Sequence, residues 1–196
     1  MLKSRLYLWV AIALISLCAC KENETSVTLS GSDAAIGSNT SVASSENNVA
    51  TTQTLSSRDE KLSIVVDGNF VDEMDDAENR VLKDDLATLI LLQYDEKSNI
   101  TLVANDLGPL KIEAKDYFAN LVDSLKKSTS LKSLDVGIAT DNRINYRISH
   151  EANGVILNES CVAIVANNNL YSVCATSDTA KPDALAATLK TININN

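Results

Sequence analysis

Two apolar runs, Val155 to Ala166 and Asn169 to Thr176, meet at Asn167-Asn168, and that junction constrains the fold more than any other part of the chain. Asn tolerates the positive φ that a two-residue β-hairpin turn requires. Counting outward from Ala166 and Asn169 then sets Cys161 opposite Cys174. Pairs in an antiparallel ladder alternate, and this one falls on a non-hydrogen-bonded position, where Cα atoms lie about 4.5 Å apart. A disulfide fits there. The same register sets Val162 opposite Val173 and Ile164 opposite Tyr171 on the other face, which is predicted to point toward helices. A slip of one residue would mix the two faces. Closing a loop of about 14 residues is worth roughly 3 kcal/mol by chain entropy, less in a hairpin that is already local. The domain has no CxxC and no third Cys. A structural disulfide is therefore predicted, with two free buried thiols, a redox pair or a metal site as the other readings.

The rest of the domain follows from periodicity. Lys61 to Val66 alternates Leu62, Ile64 and Val66, a first strand. Leu86 to Tyr94 is almost wholly apolar, which predicts a central strand covered on both sides. Asp95 to Ser98 turns the chain, Ile100 to Ala104 returns as its partner, and Gly108-Pro109 breaks the pattern. From Ile112 to Lys127 the apolar positions recur at three and four, with Lys126 and Lys127 in the last turn, where the helix dipole favours cations. Ser133 to Thr140 reads as a weak strand. Asn142 to Ser149 reads as a clear one, with Ile144, Tyr146 and Ile148 on one face and Arg143, Asn145, Arg147 and Ser149 on the other. Pro182 opens a final helix with the stripe Leu185, Leu189 and Ile192. The predicted class is α+β: an antiparallel sheet of six to seven strands flanked by helices, in one domain over residues 58–196.

Ahead of the domain stands a leader. Lys3 and Arg5 give a positive start, and Leu6 to Leu17 is apolar apart from Ser16. That run is short of the roughly 20 residues a bilayer span needs, so cleavage is the expected fate. Leu17, Cys18, Ala19 and Cys20 resemble a bacterial lipobox: Leu three residues before a Cys, and a small residue just before it. Cleavage after residue 19 would leave Cys20 to carry a diacylglyceryl group on its thiol and an acyl chain on its amine. Cys18 fits less well, because Leu17 stands where a small residue is wanted. The alternatives are an ordinary secreted protein cut nearby and an uncleaved anchor. Stable anchoring takes two chains, so three would hold the protein to a membrane permanently.

Lys21 to Ser57 is rich in Ser, Thr, Asn, Ala and Gly, lacks aromatics and shows no sustained apolar period. With Cys20 it forms a predicted tether over 20–57, following the 1–19 leader, and a coil of that length spans about 30 to 37 Å. The chain's net charge of −9 becomes more negative once Lys3 and Arg5 leave with the leader. Such a surface repels phosphate backbones, so no nucleic-acid partner is expected.

The lipobox, the tether, Glu60-Lys61-Leu62-Ser63-Ile64 at the first strand, and the segment Ser160 to Ile192 with its hairpin and last helix together resemble the DcrB family of bacterial envelope lipoproteins. The resemblance implies a PsbP-like α/β/α sandwich. It also implies roles in envelope integrity, lipoprotein maturation, and phage or colicin sensitivity, exercised through other envelope proteins. The Cys161 and Cys174 pair is not a feature of that family. Enterobacterial members carry an inner-membrane retention Asp after the lipid-bearing Cys, whereas this chain has Lys21, which implies the outer membrane.

Catalytic readings find few parts. The sole His, His150, follows a strand beside Glu151 and is expected in an exposed loop. Ser160 and Ser172 are expected on an outer face, and no nucleophile elbow is present. No catalytic residue, cofactor or metal is assigned. Two functional classes remain: a non-catalytic interaction module, and a binder of a small or lipidic ligand in a helix–sheet crevice near Tyr117, Phe118 and Tyr146. The acidic run Asp72, Glu73, Asp75, Asp76 and Glu78 lacks the glycine and spacing of a calcium loop and reads as a solvated segment. Thermal melting of the chain in excess chelator should accordingly superimpose on melting in calcium; a higher transition temperature with calcium would make the run a cation site.

Overall fold

The structure, a computed structural model, describes residues 51–81, 83–152 and 154–195. The leader, Cys20, Lys21 and most of the predicted tether lie outside the described residues.

The hairpin at the centre is β8 (Val155–Ala166) and β9 (Asn169–Ser177). Asn167 and Asn168 take φ of 52° and 63°, the left-handed pair that a tight hairpin turn demands. The register is the one the turn implies: Cys161 faces Cys174, Val162 faces Val173, and Ile164 faces Tyr171. Around it a seven-stranded sheet runs in the order β3 (Val71–Asp72), β4 (Leu89–Asp95), β5 (Ile100–Pro109), β9, β8, β7 (Arg143–Ala152), β6 (Leu131–Val136). All its neighbours are antiparallel. A second sheet has three strands in the order β1 (Thr52–Ser56), β2 (Leu62–Asp67), β10 (Thr191–Ile194).

Both faces of the large sheet are covered. On one, α3 (Ala114–Lys127) buries Phe118, Leu121 and Leu125 against Ile144, Tyr146, Ile148, Cys161, Ala163, Leu170 and Cys174. On the other, α4 (Pro182–Thr188) and the small sheet bring Leu185, Leu189, Leu62, Ile64 and Val66 against Val162, Ile164, Tyr171, Val173 and Ala175. Short helical turns, a 3-10 turn at Met74–Asp76, α1 (Ala77–Arg80) and α2 (Lys83–Leu86), link β3 to β4. The α+β class and the antiparallel sheet agree with the sequence reading.

Four details depart from it. The Leu86–Tyr94 run begins in α2 and continues as β4, which lies one strand from the sheet edge rather than at its centre. Continuous apolarity reports coverage of both faces, which Leu91 and Leu92 have, but carries no information on position in the strand order. The domain begins before Arg58, because Thr52–Ser56, at the end of the predicted tether, pairs with β2 from Thr52↔Asp67 to Ser56↔Ser63. Ile192 is not part of the last helix; it sits in β10 opposite Ile64. The alternation Ile192, Ile194 had the period of a strand, but the spacing from Leu189 also fits a helix. Finally, helices are expected over the Val162 face, and both faces are covered: the Val162 face by α4 and the small sheet, and the disulfide face by α3.

Leu185 is fully buried where α4 meets both sheets. Leu185→Ala should cost about 2–5 kcal/mol, read as a lower urea midpoint at unchanged slope.

Candidate functional site

Strand alternation brings the predicted site residues of the domain onto opposite faces. On the α3 face, Cys161 and Cys174 are disulfide-bonded with Cα atoms 4.1 Å apart. The three aromatics expected to border a crevice, Tyr117, Phe118 and Tyr146, instead close the core on this side. The Tyr117 and Phe118 rings meet edge-on at 5.9 Å, and Phe118 and Tyr146 are buried. Burial pushes the Tyr117 hydroxyl up to about 12. It raises Tyr146 as well, with Tyr117 and Glu159 adding to the effect. Neither phenol ionises near neutral pH.

His150 is not in an exposed loop. β7 runs on to Ala152, and His150 is 2% exposed, opposite Leu157. Its Nδ1 lies 3.1 Å from Oε1 of Glu159, a side chain with no exposed surface. The contact is close enough for an ion pair but not aligned as a hydrogen bond, since neither Glu159 oxygen nor His150 Nε2 has a hydrogen-bond partner among the described residues. The Glu159 carboxyl is held above the usual carboxylate range by burial, against the opposing pull of His150. The carboxylate beside His150 raises the imidazole pKa in turn. A signal for this pair was present in the sequence. Ile144, Tyr146, Ile148 and His150 share one parity, so the strand's own alternation carries the histidine to the core. The carboxyl also lies within 4.8 Å of the sulfurs of Cys161 and Cys174. With the sulfurs bonded to each other, that trio offers a metal only a carboxylate.

Ser160 and Ser172 are divided between the faces. Ser160 is 5% exposed and shares a face with Val162, whereas Ser172 shares one with Cys174. Ser160 is buried and Ser172 half-buried, so neither stands on an exposed surface. The acidic run is dispersed. Asp75 pairs with Arg58, Glu73 and Asp76 pair with Arg80, and Asp72 accepts a hydrogen bond from the Met74 amide at 2.8 Å.

A different groove lies on the opposite side of the sheet. Beyond the end of α4 the outer strands β6 and β7 are left uncovered, and a groove of about 460 Å³ runs between them and the helix. Arg143, Asn145 and Arg147 of β7 line it, with Ser160 and Val162 of β8, Asp135 and Gly137 at the end of β6, and Ala186, Leu189 and Lys190 of the α4 end. Of the three aromatics, only Tyr146 borders it. Gly137 sits tight against the β7 backbone: its amide donates to the Asn145 carbonyl at 2.9 Å, and a Cβ would come within 3.2 Å of that oxygen. The Arg143 guanidinium is half-buried; its Nε donates to Asn145 Oδ1 at 3.0 Å and its Nη2 to the Leu189 carbonyl at 3.2 Å. Burial lowers its pKa, and it forms no ion pair among the described residues. Arg147 pairs with Asp183 at 2.9 Å. The alternation of β7 already assigned these arginines to one face. That α4 would stop short and leave them lining a groove had no sequence signal.

Comparison of the sequence with family models and with curated proteins finds no match in either. Among the described residues, no helix is long and apolar enough to cross a membrane.

The buried pair sets a pH dependence. Folding raises the His150 pKa, so its contribution to stability is full below the ordinary histidine value of about 6.5 and is lost as pH rises through the folded value. Glu159, also raised, acts in the same direction. Urea midpoints should therefore fall as the pH is taken up from about 6.5. The slope should flatten in a chain carrying both His150→Leu and Glu159→Leu, with stability kept or gained because no desolvated charge remains. A wild-type midpoint that holds or rises over that range would contradict the pairing.

Proposed function

We propose that this protein is a non-catalytic bacterial envelope lipoprotein of DcrB-like type. Its PsbP-like α/β/α domain is tethered through acyl chains on Cys20 and works by binding other envelope proteins, in envelope integrity, lipoprotein maturation, or phage and colicin sensitivity. The observation that carries the reading is the sequence Leu17-Cys18-Ala19-Cys20 at the end of a short apolar run. The layered domain agrees with it. A seven-stranded antiparallel sheet with a helix on one face and a helix plus small sheet on the other suits a sandwich of that kind. His150 and Ser160, which a hydrolase would have to bring together, face opposite sides of the sheet. By the sorting rule that places Asp-bearing relatives in the inner membrane, Lys21 sends this protein to the outer one.

A second reading is favoured by one feature, the α4-side groove, which has the volume of a small-molecule site. On that reading the domain binds a small or lipidic ligand and presents it, or responds to it, at the membrane.

In a bacterial host supplied with radiolabelled palmitate, the wild-type chain should take up label and partition into the detergent phase. Cys20→Ser should do neither. Lys21→Asp should move the labelled protein from outer- to inner-membrane fractions, and crosslinking from membranes should recover a discrete partner with the wild type alone. Mass spectrometry that found a free Cys20 thiol or a retained leader would overturn the assignment.

A further inference from the structure

We propose that the groove beside α4 binds an anionic group, a phosphate or a carboxylate, through Arg143, with Arg147 and Lys190 completing the site. The proposal rests on the second reading above, that the groove is a ligand site, and names the chemistry of what enters it.

The charge arrangement carries it. Arg58, Arg80 and Arg147 each hold a carboxylate partner, while Arg143 has none within 4.0 Å among the described residues. A guanidinium has five N–H donors. Two from Arg143 are spent on neutral acceptors, Asn145 Oδ1 and the Leu189 carbonyl. Those bonds pin the guanidinium plane without neutralising it, and the remaining donors form the fork that recognises an oxyanion in two-point fashion. Partial burial makes the unpaired cation costly in the empty groove, and an entering anion would remove that cost.

The surroundings fit the same ligand. Lys190 is exposed at the rim, and the buried Ser160 lies on the floor as a further hydroxyl. Arg147 pairs with Asp183, whose side chain is 91% exposed, so that pairing is weak and exchangeable. On a chain of net charge −9, three cations against one lining carboxylate, Asp135, leave this concavity positive, so it draws anions to a place the rest of the surface would repel them from. The volume admits a phosphate or small organic acid. Just past Gly137, Ile138 stands 95% exposed, an apolar tip that would meet acyl chains if the anion were a lipid headgroup.

Four arginines, Arg58, Arg80, Arg143 and Arg147, remain once Arg5 has left with the leader, which makes the test direct. In the full mature chain with labelled arginine, the Nε–H resonances are followed while sodium phosphate replaces sodium chloride at constant ionic strength. Arg143, and to a smaller extent Arg147, should shift and saturate while Arg58 and Arg80 stay still. Arg143→Gln should weaken phosphate binding about tenfold or more, and Lys190→Gln, at an exposed position, should weaken it less without altering the melt. A second arm measures sedimentation with phosphatidylcholine vesicles, with and without phosphatidylglycerol. Binding of the unlipidated Cys20→Ser chain that needs the anionic lipid and Arg143 identifies a headgroup as the source, and phosphate binding without vesicle binding identifies a soluble anion. If Arg143 merely ties α4 to β7, the R143Q variant melts earlier and the wild-type resonance ignores both probes, which overturns the proposal. Glycerol as a neutral probe separates the two failures. Shifts of the Gly137, Ala186 and Leu189 amides with glycerol alone would keep the groove as a ligand site while refuting the anion, and silence to every probe would refute both.

Discussion

The pairing of β8 with β9 is the constraint on which the other layers depend. Once Asn167 and Asn168 adopt left-handed backbone conformations, every residue of the hairpin is committed to one face or the other. The two sets differ in what they demand. One presents Cys161, Ala163, Leu170 and Cys174, to which α3 supplies Phe118, Leu121 and Leu125. The other presents Val162, Ile164, Tyr171 and Val173, which need two separate covers, α4 and the sheet built on β2. A one-residue slip would exchange these surfaces and leave neither cover with its complement. The disulfide joins directly opposed residues, so it restrains a register that the turn and the packing already favour.

The small sheet ties together distant parts of the chain. β2 is bordered by β1 on one side and by β10 on the other, so the first and last described strands meet on a single central strand. Leu62, Ile64 and Val66 turn one face of that strand into the core.

Three ionisable groups are placed where burial makes charge expensive, in two different arrangements. Glu159 and His150 are brought together in the core, where the nearby imidazole opposes part of the cost of desolvating the carboxyl. Arg143 is only partly withdrawn from water and is held by neutral acceptors. The first arrangement closes on itself. The second leaves the guanidinium at the lining of a groove, with no ion pair among the described residues.

Much of the fold was legible because it is written in short-range terms. The period of two in Arg143–Ser149, the period of three and four in Ala114–Lys127, the turn at Asn167-Asn168 and the Pro182 start each concern neighbours along the chain, whose geometry follows from backbone sterics. The cysteine pairing was legible for the same reason, since a two-residue turn transmits its register along both strands. Strand order, the capture of Thr52–Ser56 and of Ile192 by β2, the burial of His150 against Glu159, and the groove between α4 and β7 depend on which surfaces meet across the fold. Those meetings are decided by packing between elements far apart in sequence, where many local patterns are compatible and only the assembled core selects among them.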